Sequence, residues 1–157
     1  MSKRPYKPEG IPGLFPYLTV RDAEKAIEFY EKAFGFTLSS QPPKDEHGKI
    51  QHAEMKFGQD VSIMFAPEGA WGSVRQTPNT LGIMPSLCLY IYCEDVDALH
   101  AKATAHGAKA TVAPNDGFWG DRFCSLVDPD GHEWMFATNI GDHKEKPGEL
   151  DKCSFSN

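Results

Sequence analysis

A chain of 157 residues, 40% hydrophobic and 24% charged, has the composition of one globular domain, or of two small modules sharing a core. Its formal charge of -6 argues against a nucleic-acid binder, which carries a basic face, and is compatible with a cationic ligand. No apolar run approaches the roughly 20 residues of a membrane span, and the opening Met-Ser-Lys-Arg-Pro-Tyr-Lys-Pro lacks a signal-peptide core. Cys88, Cys93, Cys124 and Cys153 show neither Cys-x-x-Cys spacing nor a disulfide framework, and fit the reduced thiols of a cytoplasmic protein.

In chain order, residues 1–11 are rich in proline and glycine ahead of the first apolar run and read as an arm. Leu14 to Val20 reads as a strand, and Asp22 can cap a helix with Ala23, Ala26, Ile27, Tyr30, Ala33 and Phe34 at helical spacing. Gly35 stops that helix, and Phe36 to Ser39 reads as a short strand. Polar residues 41–49 form a loop, after which Ile50 to Phe57 and Val61 to Ala66 make a hairpin. Residues 67–84 form an irregular linker. Leu87 to Tyr92 is again a strand, and Asp95 can cap a helix carrying Val96, Leu99 and Ala103 before Gly107. A strand near Ala110 to Val112 and a loop lead into a final hairpin, Arg122 to Val127 and His132 to Ala137. It turns on Asp128-Pro129-Asp130-Gly131, where Pro pre-sets φ and Gly can take positive φ. Residues 140–157 are a polar tail.

The order strand, helix, three strands occurs twice. Val20-Arg21-Asp22-Ala23 answers to Cys93-Glu94-Asp95-Val96, and Ser62-Ile63-Met64-Phe65-Ala66 to Glu133-Trp134-Met135-Phe136-Ala137. A repeat of this span predicts an α+β fold of two tandem βαβββ modules related by a pseudo-twofold axis, with curled sheets forming a cup. The domain is then 12–139, with module one at 12–66, the linker at 67–84 and module two at 85–139.

Phe15-x-Tyr-Leu-Thr-Val-x-Asp-x4-Ile-x-Phe-Tyr-x4-Gly-Phe, Asp95-Val-Asp-x9-Gly and Asp128-Pro-Asp-Gly-His-x-Trp together resemble the vicinal-oxygen-chelate superfamily. That group includes glyoxalase I, bleomycin-resistance proteins, fosfomycin-resistance transferases and extradiol dioxygenases. Gln51-His-Ala-Glu-Met and Trp119-Gly-Asp-Arg look most like its phosphonate-cluster-like branch. The resemblance implies a homodimer, whose cups are completed across a two-fold contact. It also implies a divalent-metal site at Phe15, Met64, Cys88 and Met135. None of these is a hard oxygen or imidazole ligand, so the expectation for this chain is no metal and no other cofactor.

Strand alternation assigns the remaining faces. Leu18, Val20, Ile63, Leu89, Ile91, Trp134 and Phe136 should meet the helices. Phe15, Tyr17, Thr19, Ser62, Met64, Ser86, Cys88, Tyr90, Tyr92, Glu133 and Met135 should face the cup, in phase with His52, Glu54, Phe123 and Ser125. His52 and Glu54 form an i, i+2 pair, either a ligand anchor and acid–base couple or a structural hydrogen-bonded pair. Trp71 and Trp119 are placed to cover the cup mouth or to pack their loops. His132 braces the turn, and Asp121-Arg122 shapes the loop entering the hairpin, with a salt bridge as the simplest reading.

A face of aromatics, thioethers and few polar groups suits a small organic ligand. Metal-independent sequestration of such a molecule is the first reading. A metal-dependent lyase or dioxygenase with displaced ligands is the second, and a metal-free isomerase or lyase using His52 and Glu54 is the third. Whether the chain is an enzyme stays open at this level.

Overall fold

The computed structural model describes residues 4–141. Most of the expected tail, residues 142–157, lies outside the described residues, as do positions 1–3 of the arm and Cys153. Strand β1 (Tyr17–Val20) leads to helix α1 (Ala23–Phe29), then β2 (Thr37–Leu38), β3 (Ala53–Phe57) and β4 (Val61–Pro67). After a short helix α2 (Pro78–Leu81) the pattern recurs as β5 (Cys88–Tyr92), α3 (Val96–Ala105), β6 (Lys109–Asp116), β7 (Asp121–Val127) and β8 (Glu133–Asn139). The sheets have matching orders, β1-β4-β3-β2 and β5-β8-β7-β6, each with one parallel pair, β1 with β4 and β5 with β8. These are the two expected βαβββ modules, and neither sheet closes on itself.

Local signals account for the elements. Asp22 Oδ1 accepts from the backbone N–H of Glu24 and Lys25, and Asp95 Oδ1 from that of Ala98. Helix α1 widens into a π-helical turn at Tyr30–Phe34, which brings Tyr30, Ala33 and Phe34 onto the buried side, and Gly35 at φ 83° ends it.

Four boundaries differ from expectation. β1 begins at Tyr17 rather than Leu14, because Pro16 has no N–H to give a ladder. β2 shrinks to two residues, and β3 starts at Ala53, leaving Ile50 in an isolated bridge with Lys44. β6 runs on to Asp116 where a loop was expected. As an edge strand with register shifts, it accommodates Pro114.

One core serves both modules. The helix-facing phase is buried as read: Val20, Ile63, Trp134 and Phe136 are fully buried, Leu18 and Ile91 nearly so, and Leu89 packs against them. The rings interlock across the modules: Phe34 lies 5.2 Å from Trp134 and 5.0 Å from Phe136, and Tyr30 lies 5.3 Å from Trp134. The α1 extension and α3 pack against each other. Both sheets therefore turn their apolar faces toward the shared helices, and their cup faces point away from that core.

The Asp128–Gly131 turn joins the modules. Asp128 Oδ2 accepts from the Tyr30 hydroxyl at 2.8 Å and the Trp134 indole N–H at 2.9 Å, while Oδ1 accepts from the backbone N–H of Asp130 and His132. Burial and the neighbouring Asp128 hold the Tyr30 phenol well above its usual pKa, so it remains a donor. Arg21 bonds Asp130 at 2.6 Å and also donates to the Pro129 carbonyl, and His132 Nε2 lies 2.7 Å from the Thr19 carbonyl. Asn79 of α2 donates to that same Pro129 carbonyl. Gly131 is required twice over: its φ is 92°, and a Cβ there would stand 2.7 Å from Asn79 Oδ1.

Asp128→Ala strips one acceptor from four donors, two of them buried side chains in different modules. Urea unfolding should show a loss of about 3–5 kcal/mol. A loss below about 1 kcal/mol would mean that the modules are held by apolar packing alone.

Candidate ligand-binding site

Strand pairing resolves the cup face into rows. In module one, Met64 lies between Tyr17 and Glu54; in module two, Met135 lies between Tyr90 and Ser125. These rows occupy equivalent sheet positions: edge-strand tyrosine, methionine, and a short polar or acidic residue. One row over, module two sets Ala137 between Tyr92 and Phe123. Met64 and Met135 are half-buried, whereas Tyr17, Tyr90 and Tyr92 are 44%, 40% and 58% exposed. Phe15, ahead of β1, is half-buried as well.

In module one the Tyr17 hydroxyl is 2.9 Å from His52 Nδ1. Burial raises the phenol pKa against the lowering pull of Arg75, which makes the hydroxyl the natural donor. His52 therefore pairs with Tyr17 and not, as the i, i+2 spacing suggested, with Glu54. It stands ahead of β3, outside the regular pleat, while Glu54 lies within that strand. The Glu54 side chain makes no hydrogen bond or ion pair among the described residues. The Trp71 ring centroid lies 6.2 Å from that of His52. Trp71 holds φ 50°, a left-handed conformation costing roughly 1–3 kcal/mol for a bulky residue.

Module two is organised around a residue the sequence reading did not place in the site. Asp121 is 2% exposed, and its Oδ2 accepts from the hydroxyls of Tyr90 at 2.9 Å and Tyr92 at 2.8 Å. Asn139 Nδ2 reaches Oδ1 at 3.3 Å. Burial works to raise the Asp121 pKa, but these hydrogen bonds outweigh it and hold the carboxyl below its usual value. The Trp119 N–H donates to the Tyr90 hydroxyl at 3.3 Å, and the Trp119 ring lies 4.8 Å from Phe123. Phe123 and Ser125 are buried on the cup floor, and Ser125 donates to Glu133 at 2.9 Å. Asp121 and Arg122 do not form the expected ion pair. Successive strand residues face opposite ways, and Arg122 pairs with Asp97 and Asp116. Alternation with Phe123 and Ser125 was the signal that could have placed Asp121 in the cup.

The family's metal positions do not fit a hard divalent ion. Phe15, Met64 and Met135 bring a ring and two thioethers. Cys88 is a lone sulfur beside them, and burial, helped by Glu133, pushes its thiol up to about 11. Among the described residues, no group of three or more His, Cys, Asp and Glu could hold a metal ion.

Two cavities flank this geometry. A groove of about 290 Å³ between β1 and β5 is lined by Tyr17, Thr19, Leu81, Leu87, Leu89 and Glu133. Another of about 260 Å³ lies behind the turn, among Arg21, Lys25, Phe29 and Pro129, away from the cup. Among the described residues, no helix is long and apolar enough to cross a membrane, and Cys88, Cys93 and Cys124 are free.

A family profile described as "Glyoxalase/Bleomycin resistance protein/Dioxygenase superfamily" matches residues 14–136. The uncharacterized protein Mb0911c of Mycobacterium bovis is 36% identical over 130 residues, covering 82% of this chain and 84% of that protein. Among solved structures, TioX from Micromonospora sp. ML1 superposes with a TM-score of 0.62 at 24% identity, over 82% of this chain and 100% of its own. TnmS3, an antibiotic binding protein from Streptomyces sp. CB03234, gives a TM-score of 0.55 at 25% identity, over 82% of this chain and 97% of its own.

The Cys88 environment can be tested directly. A thiol held at about 11 instead of 9.0 carries about a hundredfold less thiolate at pH 8. Iodoacetamide labelling, read by peptide mass spectrometry, should therefore modify Cys88 about a hundredfold more slowly than free cysteine, with the rate rising toward pH 11. Labelling at the free-cysteine rate at neutral pH would show that burial does not hold this thiol protonated.

Proposed function

The chain belongs to the glyoxalase/bleomycin resistance protein/dioxygenase superfamily, and on that premise we propose that it binds a small organic molecule in its cup without a metal ion or other cofactor. The observation that carries this reading is the pair of equivalent rows, Tyr17–Met64–Glu54 and Tyr90–Met135–Ser125. Each combines an exposed ring and an adaptable thioether with one orienting polar group, the mixture that small-ligand sites use. TnmS3, an antibiotic binding protein, supports binding over turnover for this fold. The acid–base alternative is weaker, because His52 has a phenol as partner where a carboxylate was expected. The free thiols support a cytoplasmic setting.

The reading includes a homodimer. Both half-cups open away from the common core, which leaves room for a second copy to supply an opposing wall. The rings of Tyr17, Tyr90 and Tyr92 are exposed on the cup faces, and a second copy would cover them. Sedimentation should give a dimer, and a monomer at micromolar concentration would remove this part of the proposal.

Glu54 supplies the functional test. Its side chain has no hydrogen-bond or ion-pair partner among the described residues, so Glu54→Gln should leave the melting temperature within about 1 °C of the parent. Affinity for a compound recovered with the purified protein by native mass spectrometry should fall roughly ten- to a hundredfold. Unchanged affinity, or stoichiometric metal held by cup side chains in protein purified without chelators, would overturn the reading.

A further inference from the structure

The two half-cups share their Tyr–Met rows but differ in charge arrangement. Module two holds a buried carboxylate with no cationic partner: among the described residues, no ion pair reaches Asp121. Among the described residues its side-chain donors are neutral: the hydroxyls of Tyr90 and Tyr92, the amide of Asn139 and the Trp119 indole. The neighbouring guanidinium, Arg122, is committed to Asp97 and Asp116. A buried carboxylate satisfied only by neutral donors keeps its full negative charge and has paid for desolvation without the return of an ion pair.

That charge stands behind exposed aromatic walls. Tyr90 and Tyr92 project from edge strand β5, and their hydroxyls reach Asp121 on β7 across β8. Ala137 lies in the Tyr92–Phe123 row and is fully buried. The two rings stand 5.6 Å apart at 70°, forming a corner. Trp119 adds a third ring, tied to the Tyr90 hydroxyl. Gly117 makes room for it, since a Cβ there would lie 2.6 Å from the indole. Each tyrosine donates its proton to a carboxylate, which pushes electron density back into the ring and strengthens the attraction of its face for a cation.

We propose that Tyr90, Tyr92 and Trp119, backed by Asp121, form a cage for an alkylammonium group carried by the ligand. The inference rests on the small-molecule reading above and adds the chemical class of the ligand's head group. Ring faces and a charge set behind them suit a diffuse organic cation: they exert attraction without demanding hydrogen bonds from it. A metal ion would need several oxygen atoms in direct reach, and the corner offers one carboxylate already engaged by two hydroxyls. Module one has no such cage, because its edge tyrosine bonds an imidazole instead.

The probes are (4-hydroxyphenyl)trimethylammonium and its uncharged isostere 4-tert-butylphenol, titrated calorimetrically into the full chain. The parent protein should bind the cation at least about tenfold more tightly than the isostere. Asp121→Asn keeps an acceptor for both hydroxyls and should bring the two affinities within about threefold of each other. Tyr92→Leu, which removes an exposed ring, should likewise bring the ratio of the two affinities within about threefold, and it decides the question should Asp121→Asn fail to fold. Tyr92→Phe should keep most of the preference, since the ring face remains. Equal affinities in the parent protein would overturn the cage and leave small-molecule binding standing. Failure of both compounds to bind up to about 10 mM would overturn the cage and count against the cup as a binding site.

Discussion

Asp128 receives two side-chain donors that come from different modules, the Tyr30 hydroxyl from the helical turn of module one and the Trp134 indole from the central strand of module two. Its other oxygen holds its own turn closed through the N–H groups of Asp130 and His132. A carboxylate buried to this degree is tolerated because both of its oxygens are occupied. It can be occupied in this way only if Tyr30 lies against Trp134, and that contact sets the rest. With Tyr30 and Phe34 packed onto Trp134 and Phe136, the helical side of module one is also the cover for the sheet of module two. The helices lie inside, the apolar faces converge, and the polar and aromatic faces of both sheets are left pointing outward.

Much of this was legible in the sequence, for a specific reason. The helix-facing strand residues are large and apolar in strict alternation, so phase alone identified Val20, Ile63, Trp134 and Phe136 as core. Asp22, Gly35, Asp95 and the Asp-Pro-Asp-Gly turn marked element ends through capping and turn chemistry that depends on neighbours in the chain. What was illegible depended on neighbours in space. Nothing near Asp128 in sequence names Tyr30 as its partner. His52 has a carboxylate two residues away, yet bonds a phenol on β1. Arg122 follows an aspartate, yet pairs with Asp97 on α3 and Asp116 on β6. The length of β6 was hidden by Pro114, which only an edge position allows.

The internal repeat carries a further lesson about equivalence. Matching sheet orders guarantee matching rows, and the rows conserve the edge tyrosine and the central methionine between halves. They do not conserve the partner of the tyrosine hydroxyl. In module one the partner is an imidazole just ahead of β3; in module two it is a carboxylate two strands away, reached beside the small side chain of Ala137. Two side chains with the same backbone address thus have different electrostatic settings. The Tyr90 phenol is held up to about 12, chiefly by burial, with Trp119 pulling it down and Asp121 reinforcing the rise, and it remains a donor throughout the neutral range.

The cup floor explains how the fold can take on such different walls. A metal-binding floor fixes its donors to within a few tenths of an ångström, because coordination geometry leaves little slack. Here the equivalent central positions are Met64 and Met135, flexible side chains that can follow the shape of whatever lies above them. Precision then has to come from the walls. In module two the walls supply it: two phenols tied to one buried carboxylate and an indole tied to one phenol leave those rings little freedom to turn. In module one, Trp71 is fixed differently, by a left-handed backbone between Gly69 and Gly72, while the Glu54 side chain has no hydrogen-bond or ion-pair partner among the described residues. A soft floor with one rigid and one looser wall is a division of labour between halves: a site with these properties selects by the groups around its sides and adapts at its base.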